Sequence, residues 1–196
     1  MATMRRIPRV AAVIGLAGGL LLANRSFAYQ SATPETRQVG ATAVVYRGPA
    51  VNLALSYKSA RVRPTGNWLF LDVVMSAAKA PLELPRTAIA VRTPSGEVVP
   101  MATQEEFSRD YPLLAGALLG DRVAADPLGY LTPQRPRRLN YFSGPEHHLV
   151  FASAWLDEWH NSFGRLFFEL PARIQPGRYE LLMNLKEGQV TVPFTI

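Results

Sequence analysis

Cysteine is absent from the 196 residues of this chain. Without thiols the chain can form no disulfide scaffold, no zinc–thiolate site and no thiol nucleophile, and it has no cysteine to carry a lipid anchor. Charge is also scarce, at 18% of residues against 48% hydrophobic. That apolar share is too high for a disordered chain, and the length fits one domain.

Motifs of common catalysts are missing as well. The sequence contains no Gly-x-Ser-x-Gly elbow and no glycine-rich phosphate loop. Two carboxylates could serve glycoside hydrolysis, for example Asp157 with Glu146 or Glu169, but that chemistry needs a fixed separation which a sequence does not give. We therefore expect a protein that is not an enzyme and needs no cofactor.

The N-terminus has the pattern of a secretory signal peptide. Three arginines lie in the first nine residues, residues 10–23 are uncharged and apolar, and the small residues Ser26 and Ala28 follow. A run of 14 residues is shorter than the roughly 20 that a membrane-spanning helix needs, which disfavours the alternative of an anchor. We expect cleavage after Ala28 and a periplasmic or secreted protein without a transmembrane segment. The paired Arg5-Arg6 leaves twin-arginine export open beside the general route.

Loss of this leader also removes most of the basic character. Residues 1–28 hold four of the 21 basic side chains and no acidic one, so the formal charge falls from +6 to +2. Nucleic-acid binding depends on clustered cations and is not expected. One dense cluster remains, Arg135, Arg137 and Arg138, and we interpret it as a solvated loop.

Most of the remaining chain alternates with the period of a β-strand. Residues 29–40 are polar and predict a flexible linker. Strands with one buried face are predicted at residues 41–46, 51–58 and 164–170. Residues 67–77 are apolar on both faces, which predicts a central strand with a core tryptophan at position 68.

Two hairpins are predicted from turn chemistry. Thr93-Pro94-Ser95-Gly96 supplies proline at the second turn position and a glycine that tolerates a positive φ. Lys186-Glu187-Gly188 separates two alternating segments that end the chain.

One stretch breaks the alternation. Thr103 and Glu106 have the spacing of a capping box, and Asp110 followed by Pro112 indicates the start of a second helix. Together with an irregular, proline-rich continuation, this predicts an insertion over residues 103–138. Long structured insertions often carry function.

A resemblance accompanies these patterns. Ile174-Gln175-Pro176-Gly177-Arg178-Tyr179-Glu180-Leu181 resembles the Pro-Gly-x-Tyr-x-Leu step of immunoglobulin-like sandwiches, in which the tyrosine hydroxyl turns back to nearby backbone. Residues 81–85 and the strand and hairpin after them look like exported bacterial immunoglobulin-like domains of unknown function. The cysteine pair of antibody domains is absent, and such a fold does not imply an activity.

The expected fold is therefore mainly β: an immunoglobulin-like antiparallel β-sandwich with a short helical insertion at about 103–124. A single domain is expected to cover residues 41–196.

Aromatic side chains form the strongest candidate site. Trp155 and Trp159 are four residues apart, a spacing that shares a face on a strand or on a helical turn. Exposed rings there could stack on sugars or hold a partner protein, while the alternative is that they belong to the core. His160, Tyr130 and Arg137 complete the set of candidate binding residues.

Histidines give a weaker candidate. Neighbouring His147 and His148 on a strand would point to opposite faces, so they would not hold one metal together. If His148 faces His160 across a hairpin, Asp157 or Glu158 could complete a nitrogen and oxygen site.

Three hypotheses follow. The first is a non-enzymatic exported module, binding or structural, that contacts a protein or envelope component through residues 103–138 and 155–160. The second is a small-ligand or carbohydrate-binding module that uses the Trp155/Trp159 face. The third is a metal-dependent hydrolase at His148 and His160.

Overall fold

The structure, a computed structural model, describes residues 33–62, 66–123, 128, 136–145 and 149–196, with only the backbone of residues 119–123. About half of these residues lie in strands. The strands are β1 Glu35–Val39, β2 Ala43–Arg47, β3 Val51–Ser56, β4 Trp68–Ala77, β5 Leu82–Pro85, β6 Ile89–Arg92, β7 Val98–Pro100, β8 Pro136–Arg138, β9 Ser153–Leu156, β10 Asn161–Glu169, β11 Arg178–Leu185 and β12 Gly188–Thr195. The helices are α1 Lys58–Val62 and α2 Gln104–Val123, and a 3₁₀ turn, Arg86–Ala88, leads into β6.

The strands form three sheets. A six-stranded sheet has the order β1-β2-β3-β4-β10-β8, a four-stranded sheet has the order β12-β11-β6-β7, and β5 pairs with β9. Neighbouring strands are antiparallel, apart from β8, which runs parallel to β10 over three residues. The prediction of a mainly β, antiparallel sandwich with a short helix is confirmed, as are both predicted hairpins, β6–β7 and β11–β12.

The main core lies between the two larger sheets. Inward side chains alternate along each strand, as the period of two predicts. In β4 these are Leu69, Leu71, Val73 and Met75, and they share one buried cluster with side chains of β6, β11 and β12. The ring of Tyr57, which follows β3, stacks on Phe194 of β12 at 5.4 Å between centroids and so joins the two sheets.

The outer face of the six-stranded sheet is also buried. Trp68 and Phe70 of β4 and Phe167 of β10 pack against Phe107 and Leu114 of α2. These two residues of α2 are seven apart, which places them on one face of the helix. The insertion therefore closes the outer face of the sheet, and the predicted central position of β4 is confirmed.

Polar contacts fix α2 to this face. The indole Nε1 of Trp68 donates a hydrogen bond to Asp110 Oδ2 at 3.0 Å, and Arg109 forms an ion pair with Glu169 of β10 at 2.7 Å. The capping box is confirmed, since Glu106 N donates to Thr103 Oγ1 and Thr103 N donates to Glu106 Oε2.

The prediction of a second helix beginning at Asp110 is wrong. Helix α2 continues through Pro112, and the carboxylate of Asp110 binds Trp68 and Arg109. A proline inside a helix removes one backbone hydrogen bond. Here the contacts of Asp110 and the burial of Leu114, one turn later, stabilise the helix where this backbone hydrogen bond is missing.

The linker prediction is wrong for residues 35–39, which form β1. This edge strand is polar on both faces, so it lacks the alternation that marks a half-buried strand. It pairs with β2 over five residues, and the side chain of Gln38 donates a hydrogen bond to the Tyr57 hydroxyl at 2.8 Å. The strand predicted over 51–58 ends earlier, at Ser56, because the chain turns there into α1.

The tyrosine contact expected from the sequence motif is present. The hydroxyl of Tyr179 donates to the carbonyl oxygen of Gln175 at 2.9 Å and accepts from the amide of the same residue at 3.0 Å. Burial of the ring raises the pKa of Tyr179, so the hydroxyl keeps its proton at neutral pH. The Tyr179 hydroxyl thus holds the turn before β11 through both the amide and the carbonyl oxygen of Gln175.

Tyr179→Phe should therefore destabilise the fold. We expect the free energy of unfolding to fall by about 0.5–1.5 kcal/mol, because the amide and the carbonyl oxygen of Gln175 lose their hydrogen-bond partner. Urea denaturation measures this change. Tyr46→Phe is the matched control, since that ring is also buried but its hydroxyl has no hydrogen-bond partner within the described part of the chain. Equal stability of the two variants would contradict the prediction.

Candidate functional site

Strand β9 determines the orientation of Trp155. The strand pairs with β5, which places Leu156 opposite Leu82 and Trp155 opposite Glu83. Leu156 is fully buried. Because successive side chains of a strand point to opposite faces, the indole of Trp155 points outward, and it is 59% exposed.

A hydrogen-bonded turn follows β9 and carries Trp159. The carboxylate of Asp157 accepts hydrogen bonds from the amides of Trp159 and His160 at 2.9 and 2.8 Å, as aspartate does in an Asx turn. The carbonyl oxygen of Asp157 accepts from the amide of Ala77, the last residue of β4, at 3.0 Å. The turn is therefore attached to the central strand, and Trp159 stands on it 67% exposed.

Side chains of Arg137 and His160 converge on the same carboxylate. Arg137 Nη1 lies 3.3 Å from Asp157 Oδ2, and His160 Nδ1 lies 2.8 and 2.9 Å from the two carboxylate oxygens. Arg137 also donates to the carbonyl oxygen of Trp155 at 3.3 Å. Strand β8 supplies this arginine because it pairs with the start of β10, next to the turn.

The proton on the His160 ring follows from these contacts. Nδ1 also lies 3.2 Å from Arg137 Nη2, but a guanidinium only donates and a carboxylate only accepts. A ring nitrogen that carries a proton can donate to Asp157 but cannot accept from Arg137. A ring nitrogen without a proton can only accept from Arg137. The two shorter contacts to the carboxylate assign the proton to Nδ1, which donates to Asp157.

Electrostatics favour the ionised form of Asp157. Partial burial alone raises the pKa of its carboxyl group, but hydrogen bonds from the His160 ring and from the amides of Trp159 and His160 outweigh that effect. The net result is a pKa below the ordinary value for aspartate. The carboxylate therefore stays charged at neutral pH and holds the turn.

Four of the five candidate binding residues are thus brought together around Asp157: Trp155, Trp159, His160 and Arg137. Tyr130 lies outside the described residues. The alternative that the two tryptophans belong to the core is wrong, whereas Trp68 is a core residue as predicted. From the sequence, Asp157 is a possible ligand or catalytic acid, but an aspartate two residues before an exposed turn position is also a recognisable Asx-turn signal.

Both described carboxylates considered for hydrolysis have partners within the fold. Asp157 is engaged by its own turn, and Glu169 forms an ion pair with Arg109. Throughout the residues that the structure describes, no three His, Asp or Glu side chains cluster as metal ligands would. His148 and Glu146 lie outside these residues, so the metal site of His148 and His160 stays a prediction.

Comparison with known proteins gave no family: no protein-family model, no curated protein and no solved structure matches this chain. Within its described part, the chain has no helix that is both long enough and apolar enough to span a membrane.

Quenching of tryptophan fluorescence should separate the three indoles. Trp68 is 3% exposed, and its Nε1 is hydrogen-bonded, so iodide should not reach it. In the variant Trp155→Phe/Trp159→Phe we expect almost complete loss of quenching, while Trp68→Phe should raise the fraction of the fluorescence that iodide quenches. Strong iodide quenching of the double variant would contradict the exposure described here.

Asp157→Asn should change the dependence of stability on pH. The folded pKa of Asp157 lies below its unfolded value of about 3.9, so the ionised carboxylate stabilises the fold above that pH. This contribution is lost as the pH falls through the folded pKa. We expect the variant to be less stable than the unmodified chain at pH 5, by about 1 kcal/mol, and the difference to shrink towards pH 2. Urea denaturation across this range measures it, and a constant difference would contradict the assignment.

Proposed function

We propose that this protein is a non-enzymatic exported binding module, acting in the periplasm or outside the cell, that contacts a protein or another envelope component. The surface that we assign to this contact is the 155–160 surface, formed by Trp155, Trp159, His160 and Arg137 around Asp157. The observation that carries the proposal is the exposure of two indoles on a chain segment held in place by hydrogen bonds.

Two energetic arguments support a binding role. Burial of apolar surface contributes about 25 cal/mol per Å². Two indoles that stay exposed in the folded chain can therefore contribute this free energy when a ligand covers them. Tryptophan and arginine are also the residue types that most often dominate binding energy at interfaces.

Preorganisation is a third argument. Ordering a loop on association costs free energy that subtracts from affinity. The 155–160 surface avoids most of this cost, because Asp157 fixes the turn to the amides of Trp159 and His160 and its carbonyl oxygen is bonded to Ala77 of β4.

The leader pattern of residues 1–28 supports export, and the absence of cysteine is compatible with an oxidising compartment. The Tyr179 contact and the sandwich support an immunoglobulin-like relationship as part of the proposal.

Point variants test the surface better than removal of the insertion. Loss of residues 103–138 would uncover Phe70 and Phe167 on the outer sheet face, so it would disturb the fold along with any contact. Leu113 provides the matched control, because it is 82% exposed on α2 and apolar like the tryptophans.

Photo-crosslinking in the cells that produce the protein tests the proposal. A benzophenone amino acid in place of Glu158, which is exposed between the two indoles, should give a discrete adduct with an envelope component. The same probe at Leu113 should give none, and Trp155→Ala/Trp159→Ala should abolish the adduct at position 158. The recovered chain should begin at Tyr29. Absence of any adduct at position 158, or its persistence in the double variant, would refute the proposed surface.

A further inference from the structure

The size of the 155–160 surface limits what can bind there. A tryptophan side chain buries about 150–250 Å² when fully covered, so rings exposed to 59% and 67% offer together roughly 200–300 Å². A stable protein partner covers about 800 Å² on each side. The exposed indoles alone therefore supply a minor part of the area that a stable folded partner covers.

The shape of the surface disfavours a free small molecule. Pockets for small ligands bury about 70–90% of the ligand, and the side chains that line them lose most of their exposure. Trp155 and Trp159 keep more than half of theirs. A ligand on such open rings gains affinity by touching both of them at once, since linked weak contacts reinforce each other.

The chemistry of the surroundings fits sugar rings. An indole accepts the C–H face of a sugar by stacking, while the hydroxyl groups at the sugar edge need donors and acceptors. Glu83 stands opposite Trp155 in the β5–β9 pair, and Glu158 lies next to Trp159 in the turn. These carboxylates can accept hydrogen bonds from sugar hydroxyl groups. The half-exposed guanidinium of Arg137 can donate hydrogen bonds to the hydroxyl oxygens.

The spacing of the two indoles suits a chain of sugars. Their Cα atoms are four residues apart along the chain and hence at most about 14 Å from one another, so both indoles lie within reach of one short run of sugar units. Both lie on the segment that Asp157 holds, so their separation is set before binding.

From these observations we infer that the ligand of the 155–160 surface is a polysaccharide chain of the cell envelope, with Trp155 and Trp159 stacking on separate sugar units. This inference rests on the proposed function and names the ligand class of the same surface. Arg137 and the two glutamates bind hydroxyl groups at the edges of the chain.

Electrophoresis in gels that contain a polymer tests the inference, with a neutral β-glucan, a soluble N-acetylglucosamine polymer and a uronate polymer in separate gels. Sedimentation with purified peptidoglycan sacculi covers the insoluble case. We expect retardation or co-sedimentation with at least one polymer. Each of Trp155→Ala and Trp159→Ala should weaken binding by about tenfold or more, as for loss of one of two linked contacts, and Leu113→Ala should bind normally. A trisaccharide of the same sugar should bind more weakly than the polymer.

The other outcomes separate this inference from the proposed function. If no polymer binds and the probe at Glu158 captures a protein, the polysaccharide inference is overturned while the binding surface stands. If no polymer binds and the probe captures nothing, both fail. Binding that survives both tryptophan substitutions would place the polymer elsewhere and overturn the inference.

Discussion

Burial of β4 on both faces is the constraint on which the rest of the structure depends. One face of this strand packs into the core between the two larger sheets, and the other packs under α2. The register of this strand is strongly specified, because a slip of one residue would turn Asp72 and Ser76 into the core between the sheets. Its neighbours β3 and β10 are paired to it over six and eight residues, so their positions follow from it.

The candidate site inherits its order from this strand. Ala77 at the end of β4 binds the carbonyl oxygen of Asp157, and the start of β10 pairs with β8, which brings Arg137 to the carboxylate. The turn is thus held from the sheet on one side and by an arginine on the other. Such a turn presents Trp155 and Trp159 in fixed positions, which is what a surface without a cavity needs if it is to bind selectively.

The sequence predicted what depends on neighbours along the chain. Alternation in residues 67–77 and 178–185, the two turn motifs and the Thr103–Glu106 box are local patterns, and each of these elements forms. The prediction of a helix start at Asp110 was wrong because an aspartate can either cap a helix or accept a hydrogen bond from a distant indole. The local sequence does not distinguish these two roles. The partner of Asp110, Trp68, lies 42 positions away.

The candidate site shows the same division. The Trp155–Trp159 spacing indicated a shared role, but period alone could not decide between exposure and burial, because both arrangements place apolar side chains on one face. Leu156 decides it, since its burial forces Trp155 outward. The contact of Arg137 with Asp157 depends on a parallel pair between segments more than 20 residues apart, and no local pattern encodes that pairing.

The insertion stabilises the fold, whereas the turn after β9 exposes apolar side chains. The first hypothesis from the sequence had assigned the contact surface to both segments. Helix α2 directs Phe107 and Leu114 into the outer sheet face, where these side chains stabilise the fold. The turn after β9 does the opposite, because its large apolar side chains contribute little to the core and are nevertheless held in place by charged and polar groups. Stability and exposure are therefore assigned to different segments. For this reason, substitutions at Trp155 and Trp159 can report on binding without unfolding the domain.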